Sequence, residues 1–302
     1  MTELPAADPA AGDHALAGDL AAHAGRLLLG VRDEIGFADA RALKDTGDLR
    51  AHEYLMSALA GACPDDAILS EEGRASVAGK SATAVAMDGP PTGNTDLAVR
   101  LAAERVWIID PLDGTREFAE EGRSDWAVHV ALWEQRPEGR LAAGAVALPA
   151  QGATLRTAAE GAVVVDADGE RPLLLKPPAP GRLRIAVSRS RPPEFLTRLA
   201  ERLDGTGTEV ELVPIGSAGA KIAAVLLGVV DAYVHAGGQY EWDSAAPAAV
   251  ALAAGAHASR IDGAPLAYNR KDPRLPDILV CHPGSASTLL TGIRDVTQAP
   301  PG

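Results

Sequence analysis

Cysteine is scarce in this sequence. Cys63 and Cys281 are the only two in 302 residues, and they do not form a C-x-x-C motif. The spacing therefore supports neither a disulfide framework nor a zinc site. We expect the protein to work in a reducing compartment, and the cytoplasm is the simplest one.

Long apolar runs and a targeting signal are also lacking. The longest apolar stretches, residues 223–230 and 245–254, fall well short of the roughly 20 residues that a membrane-spanning helix requires. No Lys or Arg precedes Arg26, and Pro, Asp and Gly interrupt the start of the chain. We therefore expect no signal peptide and no membrane partner.

Basic residues are outnumbered by acidic ones. The chain has 28 Lys and Arg against 41 Asp and Glu, which gives a formal net charge of −13. This charge repels polyanions and excludes the binding of a nucleic acid polymer through bulk charge. A small anionic ligand would need a local source of positive potential, either a metal ion or a cluster of backbone N–H groups.

The composition is that of a folded globular chain, and its N-terminal part has helical periodicity. Hydrophobic residues make up 47% and charged residues 23% of the sequence, which is close to the globular average. Residues 1–13 are expected to be disordered. Amphipathic helices are predicted at 19–35 and 48–59, and Asp48 is a suitable N-cap for the second.

Strands and one irregular segment follow. Residues 67–69 are predicted to form a short strand. Residues 73–104 mix Gly, Ala, Ser, Thr and Pro without a periodic pattern, so we expect a mobile insertion that is either a lid or idle. The strands of an antiparallel meander are predicted at 105–110, 126–133, 142–148, 154–158 and 161–165.

The pattern changes after a Pro-rich segment at 166–181, which we interpret as a domain boundary. Beyond it, strands at 183–187, 210–214, 231–235 and 278–281 alternate with helices at 193–203, 218–227 and 244–254. We therefore expect a layered α/β fold. It would have an N-terminal α+β domain at 14–176 with an antiparallel sheet, and a C-terminal α/β domain at 182–302.

The strongest local motif, D-P-L-D-G-T, follows an apolar strand. It places Asp110 and Asp113 around a turn that Pro fixes, so their carboxylates and the carbonyl of Leu112 converge on one small volume. Clustered carboxylates repel each other, and a hard cation such as Mg²⁺ is the expected occupant. Gly114 and Thr115 come next, where the start of a helix would offer backbone N–H groups to an anion.

The same motif would also make an ordinary turn, since Pro, Asp and Gly are common turn residues. The apolar strand before it and the Gly-Thr pair after it favour a site. Two further acidic segments support that interpretation, S-E-E-G at 70–73 and E-W-D-S-A-A-P at 241–247. Taken alone, Glu71 is typical of a solvated strand end and Asp243 of a helix N-cap.

In this order the three motifs resemble the signature of the inositol monophosphatase-like phosphatases, from about residue 15 to residue 295. The resemblance implies an αβαβα sandwich and a lithium-sensitive phosphatase that depends on two or three Mg²⁺ ions. Within the superfamily, D-P-L-D-G-T-R-E-F at 110–118 and G-S-x-x-x-K at 216–221 are similar to the CysQ-type 3'(2'),5'-bisphosphate nucleotidases.

The resemblance also implies roles for individual residues. The metal ligands would be Glu71, Asp110, the backbone carbonyl of Leu112, Asp113 and Asp243. Glu71 and Thr115 would orient and deprotonate the attacking water, and Asp48 would help to hold a further water at the metals. The residues expected to contact substrate are Leu112, Asp113, Gly114, Thr115, Arg116, Ser217, Lys221 and Asp243.

The sequence departs from the family pattern at three places. The connection from Glu71 to Asp110 is longer than usual, which costs little because loop closure depends weakly on length. The pattern around Asp48 is only partly kept. Inositol-specific members have a Glu before the Trp-Asp motif, whereas here His235 is near that place, which weakens the inositol interpretation.

Several other residues have two interpretations. Arg116 either contacts a phosphate or an adenine ring, or pairs with Glu117. Arg189 and Arg191 either bind a second phosphate or belong to a solvated loop, and the loop is favoured. His129 lies on an apolar strand and is expected to be a core residue.

These observations predict a cytoplasmic phosphatase that converts adenosine 3',5'-bisphosphate to AMP and phosphate, with the sulfated form, PAPS, as a second candidate substrate. In the family this reaction clears a by-product of sulfate assimilation. The alternative substrates are inositol-1-phosphate and fructose-1,6-bisphosphate. A catalytically inactive sensor of Mg²⁺ and nucleotide is the alternative of another class, and a homodimer is left open.

Overall fold

A long helix begins the described part of the chain. The computed structural model describes residues 12–74, 94–135, 138–189, 192 and 194–298. α1 (Asp13–Ile35) begins earlier than its periodicity predicts, and Asp13 pairs with Arg105 at 2.7 Å. The expectation of disorder is therefore wrong at Asp13, and residues 1–11 lie outside the described residues.

The second helix, α2 (Ala40–Ala62), also begins earlier than predicted. The Asp39 carboxylate caps it, because it accepts hydrogen bonds from the N–H groups of Arg41 and Ala42 at 3.1 and 2.9 Å. Asp48 lies inside this helix, so the prediction that Asp48 is the N-cap is wrong.

Among the described residues, seven strands form the first sheet, and their order in the sheet is their order along the chain. They are β1 (Ala67–Ser70), β2 (Arg105–Asp113), β3 (Ala127–Glu134), β4 (Arg140–Leu148), β5 (Ala153–Thr157), β6 (Ala162–Asp166) and β7 (Gly169–Pro172). The antiparallel pairing predicted for this sheet is confirmed from β2 to β7 and wrong for β1, which runs parallel to β2. A parallel pair needs a long crossover, which the 71–104 connection provides. β7 lies inside the predicted domain boundary, so part of that segment belongs to the sheet.

The predicted mobile insertion at 73–104 contains regular structure in its C-terminal part. α3 (Leu97–Ala102) begins after Asp96, whose carboxylate accepts hydrogen bonds from the N–H groups of Ala98 and Val99. The prediction is therefore wrong for residues 94–104, and residues 75–93 lie outside the described residues.

The second sheet has five strands in the order β11-β12-β10-β8-β9. They are β8 (Arg182–Ser188), β9 (Glu209–Ile215), β10 (Ala232–Tyr240), β11 (His257–Ser259) and β12 (Arg274–Cys281). β8 is parallel to β9 and β10, and β12 is antiparallel to both of its neighbours. The sequence pattern did not predict β11, because three residues are too few to show a period.

Helices cover the two sheets and separate them. The remaining helices are α4 (Thr115–Phe118), α5 (Phe195–Asp204), α6 (Ala218–Leu226), α7 (Glu241–Ala253) and α8 (Pro283–Gln298), of which α8 was not predicted. α1 and α2 pack on the outer face of the first sheet, α6 and α7 lie between the sheets, and α5 and α8 cover the second sheet. The expected αβαβα sandwich is confirmed. Both sheets contribute to the core around α6 and α7, and the division into two domains stays a prediction.

No helix among the described residues is long and apolar enough to cross a membrane.

α7 approaches the first sheet closely at Gly144 on β4. A Cβ atom on Gly144 would lie 2.6 Å from the Cβ of Ala249 and 3.0 Å from the carbonyl oxygen of Ala246. Small residues on both sides therefore set the distance between α7 and the sheet.

We expect Gly144→Ala to lower the free energy of unfolding by about 1–3 kcal/mol, because the added methyl group overpacks this contact. Gly30 is a matched control, since it is exposed in α1 and nothing lies within 4 Å of a Cβ there. Gly30→Ala should raise stability by roughly 0.5–1 kcal/mol. Chemical denaturation measures both, and a neutral Gly144→Ala would contradict the packing argument.

Candidate metal centre

Three carboxylates meet where β2 ends and α7 begins. Asp110 and Asp113 are on β2 and are buried, and Asp243 is in the first turn of α7 and is half-buried. One oxygen from each lies within 4.8 Å of the others. The sequence prediction placed these three residues in one site, and the structure brings them together.

An irregularity in β2 lets two acids of one strand share this site. Asp110 lies opposite His129 and Asp113 lies opposite Ala127, so three steps on β2 match two on β3. The extra residue forms a bulge that re-aims the side chains. Asp110 Oδ1 accepts a hydrogen bond from the N–H of Leu112 at 3.0 Å, which fixes the turn.

Asp113 is held by groups that come from α6 and β3. Its Oδ2 accepts hydrogen bonds from the Ser217 hydroxyl at 2.5 Å and from the N–H of Gly219 at 2.7 Å. His129 Nε2 lies 3.3 Å from the same oxygen, and His129 Nδ1 donates to the Trp242 carbonyl at 3.0 Å. A Cβ on Gly219 would overlap the His129 ring, so this approach requires glycine.

Asp243 and Glu241 fix the start of α7. Asp243 Oδ2 accepts a hydrogen bond from the N–H of Tyr240 at 2.6 Å, so Asp243 is the third residue of α7 and not its N-cap. Buried Glu241 accepts hydrogen bonds from the N–H groups of Asn269 and Arg270 at 2.7 and 2.8 Å. The first turn of α7 is therefore held in the direction that brings Asp243 to β2.

The electrostatics of this group require a cation or protons. Burial raises the pKa of Asp110 well above its usual value, and the charges of Glu71, Asp113 and Asp243 add to the effect. Burial and the Asp113 charge likewise raise the pKa of Asp243. In each of the three carboxylates, one oxygen accepts the hydrogen bonds described above, and the second oxygen could bind a cation. Such an all-oxygen donor set fits a hard divalent metal.

The sequence model of the inositol monophosphatase family matches residues 20–296. The chain belongs to the inositol monophosphatase family. A Mycobacterium leprae protein named 3'-phosphoadenosine 5'-phosphate phosphatase is 50% identical over 296 residues, which cover 95% of each chain. The 3'(2'),5'-bisphosphate nucleotidase CysQ of Escherichia coli is 31% identical over 74% of this chain and 79% of its own.

Solved structures agree with this membership. The crystal structure of CysQ from Bacteroides thetaiotaomicron has a TM-score of 0.70 and 26% identity, and the match covers 88% of this chain and 95% of that one. SuhB of Mycobacterium tuberculosis, at 24% identity, has a TM-score of 0.67 over 94% of this chain and 96% of its own, and shows the fold alone. Family members depend on metal ions, which the three carboxylates are suited to hold.

Glu71 was predicted as a fourth acidic metal ligand, but it does not belong to the group formed by Asp110, Asp113 and Asp243. It follows β1 and is exposed, and its charge raises the pKa of both Asp110 and Asp243. Its role as a metal ligand stays a prediction. The substrate role of Gly114, which precedes α4 with a left-handed φ of 89°, and the catalytic and substrate roles of Thr115, the first residue of α4, also stay predictions.

Two of the three arginines considered for phosphate binding, Arg116 and Arg189, have acidic partners. Arg116 is exposed and pairs with Glu120 at 3.2 Å, and not with Glu117, which was one of its two sequence interpretations. Arg189 pairs with both Glu117 and Glu120, at 3.3 and 3.1 Å. Arg191 lies outside the described residues.

A cavity of about 470 Å³ opens beside the carboxylates. Asp113 and Asp243 line it together with Lys221, Tyr233 and His235. The volume is in the range of small-molecule sites. The cavity is therefore large enough to hold the part of a substrate that does not react.

The substrate roles predicted for Ser217 and Lys221 stay predictions. The structure also gives Lys221 a structural role next to the carboxylates. Lys221 is buried and its Nζ donates to the carbonyls of Gly216 and Ser217 at 3.2 and 2.6 Å. His129 is buried, so the core prediction is confirmed. Its contact with Asp113 was missed, because that contact depends on the shift in register between β2 and β3 at the bulge.

We expect Ser217→Ala to lower kcat by about 10-fold to 100-fold with a smaller change in KM, because Asp113 loses a hydroxyl donor that orients it. Ser217 has a φ of 47°, so Ser217→Gly is the control that removes the hydroxyl while relaxing the backbone. Steady-state kinetics on both variants is the measurement. Normal kcat in Ser217→Gly would show that the hydroxyl is not needed.

We also expect the metal-free protein to lose stability as the pH rises from about 4 to about 8. Burial and the charges of Glu72, Glu71 and Asp45 raise the pKa of Asp48 from 3.8 to about 8. In this window the folded state retains a proton that the unfolded state releases, so the free energy of unfolding falls with pH. Melting temperatures in EDTA should show a shallower fall for Asp48→Asn, and an unchanged slope would contradict the assignment.

Proposed function

We propose that this chain is a metal-dependent phosphatase that removes the 3'-phosphate of adenosine 3',5'-bisphosphate and yields AMP and phosphate. PAPS is proposed as a second substrate. The observation that best supports this proposal is the group of three carboxylates, two of which line a substrate-sized cavity. The named activities of the relatives from Mycobacterium leprae and Escherichia coli supply the substrate.

The charge distribution supports an anionic substrate only with metal present. The chain has a net charge of −13, and Arg116 and Arg189 both pair with acidic residues. We propose that Mg²⁺, as two or three ions, is held by Glu71, Asp110, the Leu112 carbonyl, Asp113 and Asp243. Bound Mg²⁺ would supply positive charge for the phosphate and would acidify the attacking water.

The remaining steps belong to the chain's own residues. Glu71 and Thr115 would orient the attacking water and take its proton, and Asp48 would hold a second water. The N–H groups of Gly114 and Thr115 would hold phosphate oxygens, since the left-handed Gly114 brings the backbone close to the site. Lys221, Ser217 and Arg116 would contact the nucleotide.

Lithium sensitivity, a role in sulfate assimilation, a cytoplasmic location and a homodimeric assembly complete the proposal. They rest on the resemblance to the CysQ-type nucleotidases and on the sequence composition.

Phosphate release from adenosine 3',5'-bisphosphate, inositol-1-phosphate and fructose-1,6-bisphosphate tests the proposal. We expect the nucleotide to have the highest kcat/KM, EDTA to abolish turnover and lithium to inhibit it. Asp113→Asn should reduce kcat by about 100-fold or more, because it removes a carboxylate from the metal site.

Two other outcomes would change the assignment. Equal or higher kcat/KM on the sugar phosphates would keep the metal site and make the chain a sugar phosphatase. Binding of Mg²⁺ and nucleotide without turnover of any substrate would make it a sensor.

A further inference from the structure

β1 is the edge strand of the first sheet, and two residues from the far end of the 71–104 connection pair with its outer side. Ile68 donates its N–H to the Thr95 hydroxyl at 2.9 Å and accepts from the N–H of Thr95 at 3.1 Å. Ser70 donates its N–H to Asn94 Oδ1 at 2.6 Å and accepts from Asn94 Nδ2 at 3.1 Å. We refer to Asn94 and Thr95 as the edge clip.

The edge clip completes the hydrogen bonding of β1. Alternate residues of a strand direct their N–H and C=O groups to the same side, so Ile68 and Ser70 present four groups away from β2. All four are bonded by the clip. The Asn94 carboxamide supplies one acceptor and one donor, as a peptide group of a neighbouring strand would, so it protects an edge that no other strand of the described residues pairs with.

The clip acts directly on the peptide bond that precedes Glu71. The oxygen of that peptide is the Ser70 carbonyl, which Asn94 binds, and its N–H is that of Glu71, which donates to the Ile109 carbonyl at 3.4 Å. Ile109 in turn precedes Asp110. The backbone that carries Glu71 is therefore held from both sides, and it is linked to the backbone that carries Asp110.

The residues around the Asn94 carboxamide leave room for it and hold Ser70 in place. Gly73 is buried, and a Cβ there would overlap the Asn94 carboxamide. The Ser70 side chain is also held, because its hydroxyl lies 3.0 Å from Nδ1 of buried His52 on α2. α2 carries Asp48 one turn earlier, so Glu71 and Asp48 are fixed relative to each other.

Charge repulsion makes such a restraint necessary. The charge of Glu71 raises the pKa of Asp48, Asp110 and Asp243, which means that these groups repel it. Without a restraint, this repulsion would move exposed Glu71, which follows β1, away from the other acids before a cation arrives. A ligand held in place beforehand binds metal more tightly.

We infer that Asn94 is a positioning residue that holds Glu71 in place for metal binding. The inference rests on the role of Glu71 in the proposed function. It also gives a function to residues 94–95, which the sequence placed in a mobile insertion.

The test is the titration of the full-length protein with Mn²⁺, followed by electron paramagnetic resonance, with steady-state kinetics in parallel. Asn94→Ala should weaken the metal site that includes Glu71 by about 10-fold to 100-fold, as loss of an outer-shell contact does. It should lower kcat more than it raises KM. Asn94→Asp, which retains the acceptor but not the donor, should also lose affinity, and wild-type affinity in either variant overturns the inference.

Thr95→Val is the matched control, because it removes a hydrogen bond to the same edge but acts on Ile68, farther from Glu71. It should change Mn²⁺ affinity by less than about 2-fold, well below the loss expected at an outer-shell contact. Equal losses in Thr95→Val and Asn94→Ala would show general stabilisation of the edge and would overturn the inference. Melting temperatures confirm that each variant is folded.

The double variant separates this inference from the proposed function. If Asn94 acts through Glu71, Asn94→Ala should have no further effect in a Glu71→Gln background. An additive loss overturns the inference. If Glu71→Gln alone keeps wild-type affinity and turnover, the proposed role of Glu71 fails. If Glu71→Gln loses both and Asn94→Ala loses neither, only the inference about Asn94 fails.

Discussion

The repulsion among three carboxylates that are largely withdrawn from water is the constraint on which this structure depends. Burial and mutual charge raise the pKa values of Asp110 and Asp243, so a folded chain without metal must retain protons there or lose stability. Backbone N–H groups and a hydroxyl hold the acids in position. Because these donors are neutral, they orient the carboxylates without cancelling the charge that attracts a cation.

These donors come from elements that are distant in sequence. The bulge in β2 turns Asp110 and Asp113 to one side, the start of α6 supplies the donors for Asp113, and the first turn of α7 supplies Asp243. Packing of α6 and α7 between the two sheets brings these ends together. The packing of α6 and α7 therefore determines both the stability of this middle layer and the geometry of the site. Substitutions in the layer will alter both.

Local sequence predicted the parts of the site that are local. Asp110 and Asp113 follow an apolar strand within one motif, and Asp243 came from the resemblance of a second motif to a family. The start of α2 was misplaced because Asp39 and Asp48 are both good caps, and only the structure shows which carboxylate accepts from free N–H groups. The contact of His129 with Asp113 was not predicted, since it depends on the shifted register between the neighbouring strands β2 and β3. The contact of Asn94 with β1 was not predicted either, since it depends on how the far end of the 71–104 connection returns to the edge of the sheet.

Lys221 lines the same cavity as Asp113 and Asp243 but donates its hydrogen bonds elsewhere. An ammonium group bound to Asp113 would neutralise that carboxylate and compete with a cation. Lys221 instead donates to the carbonyls of Gly216 and Ser217, where it stabilises the turn from which Ser217 reaches Asp113. Burial lowers the pKa of Lys221, and the charge of Asp113 opposes this effect. Lys221 thus stabilises the turn before α6 and leaves the carboxylate oxygens open to a cation.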